Sequence, residues 1–132
     1  MDAMRRGPVT TVLRGGSMQP CIPHGARVSF RTLRDRERMT PGLVVALCLR
    51  GRLVVHRVCD VTAEGAWVNT RGDSVTADDG WVARDDVLAV ATDVWVAGRR
   101  HPLSTASAAW WWAAAWPWRA VNAWRERARS RP

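Results

Sequence analysis

The chain has 132 residues, 47% of them hydrophobic and 24% charged, with a formal net charge of +8. That length suits one domain with one modest core, and the hydrophobic share excludes a disordered chain. All 20 basic residues are arginine, and no basic stripe with interleaved aromatics precedes the C-terminal tail. The charge therefore reads as a solvated surface, and no nucleic-acid partner is expected.

The N-terminal stretch MDAMRRGPVTTVLRGG holds no long apolar run. Neither a signal peptide nor an N-terminal anchor is expected, which places the domain in the cytoplasm or peripherally on a membrane. TTVL (10–13) is a candidate strand leading to Gly15 and Gly16. RGGSMQPCIPHG (14–25) reads as a Gly/Pro-rich loop that presents Ser17. ARVSF (26–30) alternates and predicts a strand, and RTLRDRERMTPG (31–42) is a charged excursion. LVVALCL (43–49), RGR (50–52) and LVVHRVCDV (53–61) predict a buried strand, a tight turn and a second strand, together a β-hairpin. AWVNT (66–70) follows the turn at Glu64-Gly65, and RGDSVTADDG (71–80) is a polar loop. WVARDDVLAVATDVWVAG (81–98) contains two further β-rich runs. Short strands at this spacing, without helical periodicity between them, predict a mainly β domain.

Cys21, Cys48 and Cys59 are odd in number and lack CxxC spacing, so no zinc site and no disulfide framework is expected. Cys48 and Cys59 lie in apolar runs and read as small buried hydrophobes. No metal and no cofactor is expected.

The tail from 101 to 132 differs in composition and holds six of the nine tryptophans. Its apolar run, 106–118, is too short to span a bilayer. Alanine favours helix there and Pro117 would kink it. Tryptophans followed by arginines fit an interfacial helix over 106–124. A helix packed on the β domain or on a partner fits equally.

Ser17 needs a base to act as a nucleophile at neutral pH. Without lysine, the candidates are His24, His56 and His101. His24 lies in the turn after Ser17, and His101 lies at the edge of the tail. His56 interrupts a strand otherwise built of core residues. A lone histidine there is more often a satisfied core residue than a base. Asp73, Asp78 and Asp79 follow in one loop, and a base histidine needs an orienting carboxylate. The same loop also reads as a plain Asp/Gly turn, and its spacing misses the EF-hand pattern.

GGSMQP, PHGARVSF, PGLVVAL, LVVHRV and VNTRGDSVTADDGWV occur in an order that resembles the type I signal peptidases. The likeness is to the subtype of the endoplasmic reticulum, archaea and some Gram-positive bacteria, in which histidine replaces a lysine base. It covers roughly residues 9 to 97. The resemblance implies a compact antiparallel domain of coiled β-sheets over 1–100. It implies Ser17 as nucleophile, His56 as general base, Asp79 as the acid that orients it and Asp73 in support. The Ser17 backbone N–H and Gly16 would serve the oxyanion. An extended peptide or preprotein would lie in a groove shaped by Met18, Pro20, Ile22, Val44 and Val45. Gly15 stands where many members carry a serine that helps the oxyanion. The function so implied is a serine endopeptidase that removes a leader or signal segment. Two other functions fit the same boxes: a non-catalytic peptide-binding β-module, and a self-cleaving regulator.

Overall fold

The computed structural model describes residues 8–103, together with Trp124 and Arg127. The expected tail helix lies outside the described residues. Among those described, no helix is long and apolar enough to cross a membrane.

The chain forms β1 (Val9–Val12), β2 (Arg27–Thr32), β3 (Val44–Leu49), β4 (Arg52–Val61), β5 (Trp67–Arg71), β6 (Trp81–Ala83), β7 (Val87–Val96) and β8 (Arg99–Pro102). One 3-10 turn, Arg84–Asp86, separates β6 from β7. The expected mainly β architecture is present, as one curled antiparallel sheet. The strand order is β1-β2-β7-β3-β4-β5-β6, and β8 also pairs with β7. β7 is the spine. Its first half pairs with β3, its second half pairs with β8, and β2 runs along its other edge.

Two hairpins have two-residue loops whose backbone the sequence explains. Arg50-Gly51 (φ 52 and 76) joins β3 to β4, and Ala97-Gly98 (φ 50 and 76) joins β7 to β8. Positive φ at both central residues is the type I′ geometry that matches strand twist, and glycine carries the second position without strain. The second hairpin makes a strand of Arg99–Pro102 that composition hides. All four of its residues are exposed, so no alternation marks them.

Curling gives the sheet two cores. Val44 and Ala46 of β3 join Met18, Ile22, Val28, Phe30, Val55 and Val94 on one face. Val45 and Leu47 join Met39, Val58, Val68, Val82 and Val90 on the other. Alternate residues of a strand point to opposite faces, so a continuous apolar run is what a strand buried on both faces requires.

The cysteine expectation is corrected. Cys48 is exposed and Cys59 is half-buried, whereas Cys21 is the buried one. Cys48 lies beside the turn, opposite Leu53, which is itself 69% exposed, because the hairpin tip extends past both cores.

Glu37 organises the excursion after β2. Its carboxylate takes two hydrogen bonds of 2.7 Å from the Arg31 guanidinium and one of 2.9 Å from the Arg34 N–H. Its carbonyl accepts from Arg84 at 2.6 Å. The Arg31 bonds hold the Glu37 carboxyl down at about 2, below its ordinary value of 4.5. A carboxyl depressed in the folded state stabilises the fold above its unfolded pKa and loses that contribution as pH falls through the folded one. Glu37→Gln should therefore lower denaturant stability at pH 7 and converge with the native chain as pH falls from 4.5 toward 2. Urea titrations at pH 7, 4 and 2.5 would measure it, and an equal gap at all three would exclude the pair as the cause.

Candidate active site

The site is assembled around two consecutive residues of β4, His56 and Arg57. Neighbours in a strand project to opposite faces. His56 faces Val45 across the β3–β4 ladder, and Arg57 faces Val44. Two loops close over this dipeptide, residues 13–26 after β1 and residues 72–80 between β5 and β6.

On one face, His56 Nε2 lies 3.2 Å from Ser17 Oγ, and His56 Nδ1 lies 2.5 Å from Asp79 Oδ2. Ser17 and His56 are 39 residues apart in sequence, and His56 and Asp79 are 23 apart. A carboxylate only accepts, so the imidazole donates from Nδ1 to Asp79, which leaves Nε2 free to accept from Ser17. His56 is buried, at 9% exposure, so the group works largely screened from water. Asp79 is secured further by Thr70, whose Oγ1 donates to the same Oδ2 at 2.6 Å. A hydroxyl, imidazole and carboxylate in this order can move a proton off the hydroxyl and stabilise the resulting imidazolium.

On the other face, Arg57 Nε and Nη2 reach Asp73 Oδ1 and Oδ2, both at 2.9 Å. Its Nη1 donates to the Gly42 carbonyl at 2.8 Å, and Nη2 also donates to Cys21 Sγ at 3.1 Å. Both partners of the ion pair are almost fully buried, with side-chain exposures of 1% and 2%. Burial opposes the Arg57 charge, but the Asp73 bonds outweigh it and the guanidinium is held more firmly protonated than usual. Burial pushes the Cys21 thiol up to about 11, so it stays a neutral acceptor. Asp73 thus supports the site through Arg57 and not through the imidazole.

The two loops also hold each other. Ser74 N–H donates to the Ser17 carbonyl at 3.0 Å, and Ser74 Oγ donates to the Gly16 carbonyl at 2.8 Å. In a trans peptide the C=O and the following N–H point in opposite directions. Tying the Gly16 carbonyl to Ser74 therefore turns the Ser17 N–H away from loop 72–80. Among the described residues no backbone acceptor takes that N–H. Gly15 adopts φ +98, and its N–H donates to His24 Nδ1 at 2.8 Å. His24 is thus a brace of the turn, and His101 is exposed on β8.

Of the residues expected to line a groove, Met18, Ile22 and Val44 are buried in the first core and Val45 in the second. They carry the loop and the sheet from beneath, because both faces of β3 are covered. Pro20 lines an apolar cleft of about 240 Å³ with Pro23, Val94, Val96, His101 and Leu103. Asp78 Oδ1 accepts from the Gly80 N–H and shapes the turn. No group of three or more His, Cys, Asp or Glu side chains among the described residues is placed to hold a metal ion. Arg57, Thr70, Gly72 and Ser74 are the site residues that sequence reasoning missed. The signal for Arg57 was an arginine inside an apolar strand, which must find a counter-charge. No known family model matches the chain, and no curated protein matches it.

Two substitutions probe the scaffold. A Cβ on Gly72 would lie 2.6 Å from the Ser17 carbonyl oxygen and 3.0 Å from Ser17 Cβ. Gly72→Ala should cost about 1–3 kcal/mol, the range for overpacking a tight site. Thermal and urea unfolding would read the loss, and native stability would mean that the contact between the loops is loose. Asp73→Ala should cost about 3–5 kcal/mol by stranding a buried guanidinium. Arg57→Met combined with Asp73→Leu should recover much of that, and a double-mutant cycle measured in urea would show it. Additive losses would count against the pair acting as a unit.

Proposed function

We propose that the chain is a serine endopeptidase of signal-peptidase type, which removes a leader or signal segment from a peptide or protein. The observation that carries this reading is the convergence of Ser17, His56 and Asp79. They come from two loops and the interior of a strand, yet meet in the order nucleophile, base, acid. Both imidazole nitrogens are satisfied, and their partners are a hydroxyl and a carboxylate brought from two separate loops. The curled antiparallel sheet agrees with the family fold.

In the proposed reaction Ser17 Oγ attacks the scissile carbonyl carbon while His56 Nε2 takes its proton. The carbonyl π pair moves onto oxygen, where the outward-turned Ser17 N–H, with Gly16, would stabilise the charge. The C–N bond then breaks, and the departing amine takes the proton from His56. An ester remains on Ser17. Water attacks it with His56 again as base, which releases the carboxylate and restores the hydroxyl. Asp79 keeps Nδ1 protonated and stabilises the imidazolium in both halves. β1 is the end strand of the sheet and runs straight into the Ser17 loop. An extended substrate would add along the edge that no described strand covers, with backbone hydrogen bonds for affinity and side-chain clefts for choice. The Trp-rich segment 106–124 would bring such an enzyme to a membrane surface.

The test compares the native chain with Ser17→Ala, His56→Ala and Asp79→Asn on a defined peptide library, read by mass spectrometry of new termini. Each variant should lose roughly 10³- to 10⁶-fold in turnover while keeping its fold. Intact-mass detection of an acyl group on Ser17 of the native chain would identify the ester. Identical products from the folded native chain and Ser17→Ala would overturn the reading.

A further inference from the structure

Thr70 is fully buried in β5, where it pairs across the ladder with Val58. That puts it on the same face of the sheet as His56, two residues from Val58 along β4. Its neighbour on this face of β5 is Val68, also fully buried. The position is thus a core position for which valine has the same shape. A buried hydroxyl there is costly unless it is hydrogen-bonded.

Among the described residues the hydroxyl has one partner, and it is the acid of the proposed relay. Thr70 Oγ1 donates to Asp79 Oδ2 at 2.6 Å, while the Thr70 carbonyl accepts from the Asp79 N–H at 2.8 Å. Asp79 is gripped at its main chain and its side chain by one residue. The oxygen that takes the Thr70 hydroxyl is also the one that faces His56 Nδ1. Turning the carboxylate about its Cβ–Cγ bond would break both bonds together. Threonine is stiff at χ1, so the donor itself does not wander. Buried bonds that share an atom also polarise one another.

We infer that Thr70 is a positioning residue of this site: it sets the orientation of Asp79 and, through it, keeps His56 Nε2 directed at Ser17. The role rests on the serine-peptidase reading for its effect on catalysis, but not for its effect on the imidazole. Thr70 touches neither substrate nor the reacting atoms.

The experiment uses the full chain with Thr70→Val, Thr70→Ser and, as reference, Asp79→Asn. Thr70→Val should fold and lower kcat roughly 10- to 100-fold with KM little changed, the cost of a misplaced catalytic group. Thr70→Ser should restore most of the rate, which a purely space-filling role would not require. Proton NMR of the His56 Nδ1–H supplies a readout that needs no activity. Its downfield resonance should be lost in Asp79→Asn, shifted or broadened in Thr70→Val, and retained in Thr70→Ser. Should Thr70→Val fail to fold, Thr70→Cys keeps the size with a weaker donor and should show the same losses. Native kcat together with an unmoved resonance in a folded variant lacking the hydroxyl would overturn the inference. A native chain without peptidase activity would overturn the peptidase reading instead, and the resonance would still decide what Thr70 does to Asp79.

Discussion

The rest of the site depends on one constraint, the alternation of side chains along β4. His56 and Arg57 are neighbours in the chain, so they cannot face the same way. Each nevertheless reaches the same two loops. His56 meets Ser17 of the first and Asp79 of the second, while Arg57 meets Cys21 of the first and Asp73 of the second. The strand is clasped from both faces, with a hydroxyl–imidazole–carboxylate chain on one and a buried ion pair on the other. Moving either loop disturbs both sets of contacts.

The two faces differ in what they can tolerate. A guanidinium and a carboxylate this deeply buried are held by several bonds in fixed directions, and the desolvation cost makes any partial arrangement poor. The Arg57 side is therefore the rigid half of the clasp, with Gly42, Cys21 and Asp73 all tied to one side chain. The His56 side uses bonds to neutral groups and one carboxylate, and its 3.2 Å contact to Ser17 Oγ is the longest of them. That division leaves the hydroxyl contact as the loosest bond in an otherwise fixed frame. Side chains that come from loops are thus held to the interior of a strand, which fixes their positions more closely than a loop alone would.

Much of this was legible in the sequence, for identifiable reasons. LVVALCL and LVVHRVCDV announced the central hairpin because strands covered on both faces must be apolar throughout, and Arg50-Gly51 supplied the turn. Taken singly, Ser17, His56 and Asp79 read as turn or core residues, and only the order of the boxes that hold them groups them as a site. Other features were hidden for equally physical reasons. β8 has no buried residue to create a pattern. Thr70 reads as an ordinary β-former, since nothing local separates a threonine that fills space from one that orients a carboxylate. The resemblance implies a groove shaped by Met18, Ile22, Val44 and Val45 together with Pro20. Proximity along the chain cannot distinguish a residue that faces a substrate from one that supports the loop from below, and the burial of all four assigns them to the cores.

Gly15 takes on a different meaning once the turn is seen in three dimensions. Read from the resemblance alone, Gly15 only lacks the hydroxyl that a serine there would bring. In this turn its φ of +98 is a conformation that a serine would adopt only with strain, and its N–H is already committed to His24. The turn is held from two sides, by His24 at Gly15 and by Ser74 at the carbonyls of Gly16 and Ser17. Both carbonyls are drawn toward loop 72–80, and planarity at Gly16 then directs the Ser17 N–H away from that loop. The chain has accordingly placed its conformational freedom at Gly15 and its polar commitment at Ser74. Between them they fix the Gly16–Ser17 peptide plane, and the Ser17 N–H has no backbone acceptor among the described residues.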